Sequence, residues 1–198
     1  MLTAGATGKR KEQEMNKAVI IISKILEVGH WVGCGFFTTF IIAIAVGREE
    51  LIYKLSDMNS HTTNVEFNGL SFEAQNGTFT VSTLILFSVA GLVVCALTAL
   101  MFRNLYLAFK TAEGRTKYST GKTPFQPAVV KMIKRMGTIC ILIPIAELIL
   151  DIISNVTMGD VLEASVSMTG IFIGIVVLAL SRFFAYGVEL QNDVEGLV

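Results

Sequence analysis

Charge is scarce in this sequence. Asp, Glu, Lys and Arg together make up 16% of its 198 residues, against about 25% in a typical soluble domain. That excludes a domain that folds in water by covering its core with a polar surface. Cysteine is scarce too: Cys34, Cys95 and Cys140 each sit inside a hydrophobic run, with no CxxC spacing and no clustered ligands. They read as small packing residues, not as a disulfide or metal framework. Signatures of chemistry are missing as well. No HExxH, GxSxG, P-loop or paired nucleophile and base occurs, so the expectation is a protein that is not an enzyme and takes no cofactor.

What is abundant is hydrocarbon. The chain is 53% hydrophobic, with a mean hydropathy of +0.63. A helix needs about 20 mainly apolar residues to cross roughly 30 Å of membrane interior, and four segments qualify: 28–46, 81–102, 136–153 and 161–180. Every backbone amide in lipid must be bonded within its own segment, so all four are helices despite their β-branched content. The fold class is an all-α membrane protein, one polytopic domain over residues 1–198, with the lipid bilayer as its first partner. Lys9, Arg10 and Lys11 followed by an apolar stretch and Ala43-Ile44-Ala45 imitate a signal peptide. The long charged leader and the three further spans argue for an uncleaved first span.

The basic residues orient the chain. With the N-terminus in the cytoplasm, fourteen of the sixteen Lys and Arg fall on the inner side and two, Arg48 and Lys54, on the outer. The positive-inside rule then places both termini in the cytoplasm.

Between the first two spans lies an outer loop, 47–80. Its Asn68-Gly69 and Asn76-Gly77 pairs are two-residue hairpin turns. Folded there, Phe67 pairs with Leu70, Val65 with Phe72, Ala74 with Phe79 and Phe72 with Val81, which predicts a small three-stranded extracytoplasmic β-meander. An irregular loop is the alternative. In the same loop, Asp57, Asn59 and His61 alternate, but one His and one acid are too few for a metal site.

The inner loop, 103–135, holds eight basic residues and one acid, Glu113. Its second half predicts a cytoplasmic interfacial helix starting near Thr123 to Pro127, with Val129, Val130, Met132, Ile133 and Met136 against lipid and Lys131, Lys134 and Arg135 toward water or phosphate. The tail carries Arg182 and then turns acidic at Glu189, Asp193 and Glu195. Basic loop and acidic tail share one side, which invites a contact between them, although exposed ion pairs contribute only about 0–1 kcal/mol. The cluster lacks a nucleic-acid motif, so direct nucleic-acid binding is not expected.

Two stretches carry a family likeness. Gly121-Lys122-Thr123-Pro124-Phe125-Gln126, leading through Val130, Ile133, Lys134, Arg135 and Gly137, and the closing Phe183-Phe184-Ala185-Tyr186-Gly187-Val188-Glu189-Leu190-Gln191-Asn192-Asp193 resemble the YoaS-like bacterial membrane family, a domain of unknown function. The resemblance runs from about Lys17 onward. It implies a four-span protein of the bacterial cytoplasmic membrane, often encoded beside a helix-turn-helix regulator, and it brings no activity with it.

Within the spans, Glu147 and Asp151 stand one helical turn apart on one face. Counting about 1.5 Å per residue from Arg135 puts Glu147 roughly 18 Å deep. A carboxyl there should face other helices and marks a candidate site for a proton or cation. The plainer reading has Glu147 protonated or bonded to Ser88, Thr98 or Ser167, and Asp151 paired to Arg48. At the inner end of the first span, Lys24 and Glu27 suit an interfacial pair, Trp31 an aromatic anchor and His30 a titrating group. Gly29-x-x-x-Gly33 and Gly170-x-x-x-Gly174 offer faces for close helix contacts, either within the chain or in a homo-oligomer.

Three functions fit these features. The first is a contact or regulatory protein whose cytoplasmic face (Lys131, Lys134, Arg135, Arg182, Glu189, Asp193, Glu195) engages a partner such as a transcriptional regulator. The second is a small transporter or ion-conducting subunit using Glu147 and Asp151. The third is an immunity protein against a membrane-active peptide.

Overall fold

A computed structural model describes residues 3–47, 53, 64–67, 70–73, 81–158, 162–164 and 168–196. The elements run α1 (Thr3–Val46), β1 (Asn64–Phe67), β2 (Leu70–Glu73), α2 (Val81–Ala112), α3 (Pro127–Met158), β3 (Leu162–Ala164) and α4 (Met168–Glu195). All four helices are long and apolar enough to cross a membrane. Large apolar side chains such as Ile25, Val32, Phe36, Ile149, Phe172 and Ile175 lie exposed along them. Faces of that kind cannot stay in water and are what lipid covers. The chain is a multi-pass membrane protein. Half of the most apolar window of α2 is buried, against 11–22% for the other three, so α2 is the helix most enclosed by protein.

The helices outrun the apolar runs at several ends. The first reaches back to Thr3 through the charged leader, and the third takes in the whole basic segment from Pro127. The helix expected to start near Thr123 to Pro127 and lead into the third span starts at Pro127 and runs on unbroken as one element with that span. Its facing is corrected. Val129 and Met132 are buried with Ala108 of α2, and Ile133 packs partly against them, instead of meeting lipid. A continuous helix must follow the 3.6-residue repeat of its span, and that repeat turns these positions toward α2.

The sheet also differs from expectation. β1 and β2 pair antiparallel, with Val65 opposite Phe72 and Phe67 opposite Leu70. The sheet has three strands, but the strand beside β2 is not the one expected. β3, from the segment between α3 and α4, lies beside β2 with Leu162 opposite Phe72, and Val81, expected opposite Phe72, is the first residue of α2. Ala74, Phe79 and both Asn-Gly pairs fall outside the described residues. Recruitment of 162–164 also moves the start of the fourth helix from the expected Val161 to Met168. The 27 residues from Met168 to Val194 still suffice to span.

Contacts divide the chain into two compact units. One comprises Met1–Gly29, Ala99–Cys140 and Phe172–Val198. Within it, Gly137 of α3 approaches α4 closely: a Cβ at Gly137 would come within 3.0 Å of the Gly174 carbonyl oxygen. The other comprises His30–Thr98 and Ile141–Ile171. Its core joins Cys34 and Phe37 of α1 to Cys95 of α2, next to a cluster of Leu86, Ala90 and Val94 with Leu150 of α3. The Phe37 ring lies directly over Gly91 and meets Phe87 edge-on at 5.8 Å. Gly33 makes a second close approach, since a Cβ there would stand 3.0 Å from Cys95 Sγ.

Lipid is as apolar as any core side chain, so helices in it associate through such close fits and not through hydrophobic exclusion. A side chain at Gly91 would occupy the space of the Phe37 ring, and overpacking of this sort costs about 1–3 kcal/mol. Gly91→Leu should therefore lower the melting temperature in detergent micelles. Gly35→Leu, at a position with nothing within 4 Å, should leave it unchanged.

Candidate functional site

The basic segment is held in place from both of its ends. α2 stops in a Schellman turn: Gly114 takes a φ of 76°, its amide donates to Thr111 O at 3.0 Å, and the Arg115 amide donates to Lys110 O at 2.9 Å. Only glycine adopts that conformation without strain, which explains a helix stop at this point. α3 starts with Pro127 in the first helical position and the Gln126 carbonyl accepting the first helical bond, from Val130 N at 3.1 Å.

Between these ends the loop is organised around one side chain. Gln126 is buried, at 1% exposure. Its Nε2 reaches the carbonyl oxygens of Thr111 (3.1 Å), Gly121 (3.1 Å) and Thr123 (2.5 Å), and its Oε1 accepts from Thr120 N at 2.9 Å. Ser119 adds a hydroxyl bond to Gly121 O at 2.6 Å. One amide thus ties the loop to the end of α2. Sequence reasoning missed this role, although a polar run followed by a lone amide between Pro124 and Pro127 is its visible signal.

The same loop is fastened to α4. The Phe125 ring lies over Gly187, with its centroid 5.8 Å from that of Phe184, and the Thr123 hydroxyl donates to Gln191 Oε1 at 3.3 Å. Loop and tail do meet, then, through an aromatic ring on glycine and a neutral hydrogen bond. Lys131, Lys134 and Arg135 on α3 and Arg182, Glu189 and Asp193 on α4 are all exposed, and Glu195 ends α4. Among the described residues no ion pair joins the tail acids to these cations. The loop's own acid, Glu113, pairs with Arg115 at 3.1 Å.

On α1, Lys24 and Glu27 form the expected pair at 2.9 Å, with Lys24 Nζ 5.2 Å from the centroid of the Tyr106 ring. His30 is half-buried and Trp31 exposed.

The second candidate lies on α3. Glu147 is buried at 6% exposure, in register with buried Leu150 and Ser154 and half-buried Asp151. These positions form one protein-facing stripe, as expected of a carboxyl in a span. Among the described residues, no hydrogen bond joins Glu147 to either of the described hydroxyls considered for it, Ser88 and Thr98. Ser88 donates to Leu84 O at 2.6 Å, and Ser167 and Arg48 lie outside the described residues, as do Asp57, Asn59 and His61. Ser23, Thr38, Thr39, Thr138 and Ser181 likewise bond carbonyls three or four residues back in their own helices. Back-bonded hydroxyls satisfy themselves and do not line up as a polar track.

Gln126→Ala removes the donor facing three carbonyls, and each polar group left unpaired in a buried setting costs about 1–3 kcal/mol. Trypsin should then cut after Lys117 and Lys122 markedly faster than in the wild type. Gln126→Glu, which lacks the Nε2 donor, should behave alike, and unchanged cutting in both would show that the amide does not hold the loop. No protein-family model, curated protein or solved structure matches the chain.

Proposed function

We propose that the chain is a non-enzymatic protein of the bacterial cytoplasmic membrane, with both termini inside, that works by contact: its cytoplasmic face engages a partner such as a helix-turn-helix regulator. The observation that carries this reading is the docking of the loop on the C-terminal helix through Phe125, Gly187, Thr123 and Gln191. That joint presents Lys134, Arg135, Arg182, Glu189 and Asp193 from one firmly tied assembly, with their charges left exposed. Charged groups displayed on a fixed scaffold give partner selection and fast encounter more than raw affinity. The distribution of fourteen basic residues against two supports the orientation, and the likeness to the YoaS-like family supports the bacterial setting and the kind of partner. The sheet of β1, β2 and β3 would then lie outside, as an extracytoplasmic element.

Buried Glu147 favours one other reading, a small transporter or ion-conducting subunit using Glu147 and Asp151. A carboxyl held in a span is costly to bury, which by default makes it a functional-site candidate. The two readings separate by mutation. A photo-crosslinker at Lys134 should capture a soluble cytosolic protein from living cells, with capture lost when Glu189, Asp193 and Glu195 are neutralised together and unchanged in Glu147→Gln. If the Glu147 variant alone loses the cellular phenotype, transport replaces contact as the function.

A further inference from the structure

A groove runs between α2 and α3 where both helices leave their apolar stretches. Its first lobe, about 430 Å³, is lined by Arg103, Asn104, Tyr118, Lys131 and Arg135 over Leu100 and Met132. The second, about 530 Å³, shares Leu100, Asn104, Lys131 and Arg135 and adds Lys134, Thr138 and Ile139. Both volumes fall in the range of small-ligand sites, roughly 300–1,000 Å³. Four cations converge on the groove and no Asp or Glu lines either lobe. Among the described residues none of the four is ion-paired, unlike Lys24 and Arg115, each of which has its own carboxylate.

The position of the groove matters as much as its charge. No charged residue occurs in α2 from Val81 to Phe102, so Arg103 is the first after the apolar stretch, and Arg135 is the last before the apolar run that starts at Met136. The cations therefore stand at headgroup level, and Leu100, Thr138 and Ile139 open the groove toward the acyl chains. Asn104 uses its amide Nδ2 on Leu100 O at 2.7 Å, which leaves its carbonyl oxygen to accept from a hydroxyl. Guanidinium groups match phosphate oxygens in paired hydrogen bonds, lysine adds point charge, and basic pockets between membrane helices are suited to anionic headgroups.

We propose that this groove binds one anionic phospholipid, its phosphate held by Arg103, Lys131 and Arg135 and its acyl chains laid over Leu100 and Ile139. The site is distinct from general attraction of the basic loop to the membrane, and it stands whether or not the contact reading holds. The occupant is a lipid and not free phosphate, because the groove continues from the cations onto an apolar floor.

The test is native mass spectrometry of the full chain in mild detergent, titrated with phosphatidylglycerol, with phosphatidylcholine or with inorganic phosphate. The first phosphatidylglycerol should bind tightly, phosphatidylcholine weakly, and millimolar phosphate should not displace the lipid. Arg103→Gln, Lys131→Gln and Arg135→Gln combined should weaken that first binding about 100-fold, at roughly a four- to fivefold loss per cation. Lys17→Gln, Lys117→Gln and Lys122→Gln combined, the same change of charge away from the groove, should change it less than about threefold. Asn104→Trp fills the groove without altering charge and should also abolish the first binding, which decides the matter if the triple variant does not fold. Equal losses in the two triples, retention in Asn104→Trp, equal binding of phosphatidylcholine, or displacement by phosphate would each overturn the proposal.

Discussion

Hydrocarbon offers no hydrogen-bond partner, and nearly every feature of this chain follows from that. Helices close their backbone bonds within themselves, so the apolar runs become α1 to α4 and irregular backbone is confined to the connections between them. The same constraint reaches the side chains. Ser23, Ser88 and Thr138 return their hydroxyl protons to carbonyls of the preceding turn, which uses their one donor and leaves them only as acceptors. Glu147 has no such local remedy, which is why it stands out among the buried polar groups.

Close fit takes the place of the hydrophobic driving force. Phe37 lies over Gly91, Gly33 approaches Cys95, and Gly137 approaches Gly174, so glycines and cysteines mark where helices can touch. A ring on glycine recurs where Phe125 covers Gly187. There it fastens the loop to the C-terminal helix without spending the surrounding charges. An ion pair between loop and tail would contribute only about 0–1 kcal/mol at an exposed site. Gln126 follows the same logic, since a neutral amide can be buried as an organising hub at far lower cost than a charge.

Much of the candidate site was legible one piece at a time. The cations and tail acids, the pairing of Lys24 with Glu27 and the inward stripe of Glu147 and Asp151 all follow from spacing along a single helix. The groove was not legible, because Arg103 and Arg135 lie 32 positions apart and converge only when α2 and α3 lie side by side. Nor was the facing of Val129 and Met132, since an apolar side chain beside a membrane suits lipid and protein equally well in composition. The role of Gln126 depends on carbonyls from Thr111, Gly121 and Thr123 converging on one point.

By itself the sequence determined the number of spans, their helical character and the pairing of β1 with β2, because hydropathy, the demands of lipid on the backbone and a two-residue turn all act over short stretches of chain. Tertiary structure alone decided that Leu162–Ala164, from the far side of α3 in the sequence, lies beside β2. It also decided which face of α3 meets α2 and that Phe125 seats on Gly187. Each of these is a choice among partners far away in the chain and chemically alike, and only shape in three dimensions distinguishes them.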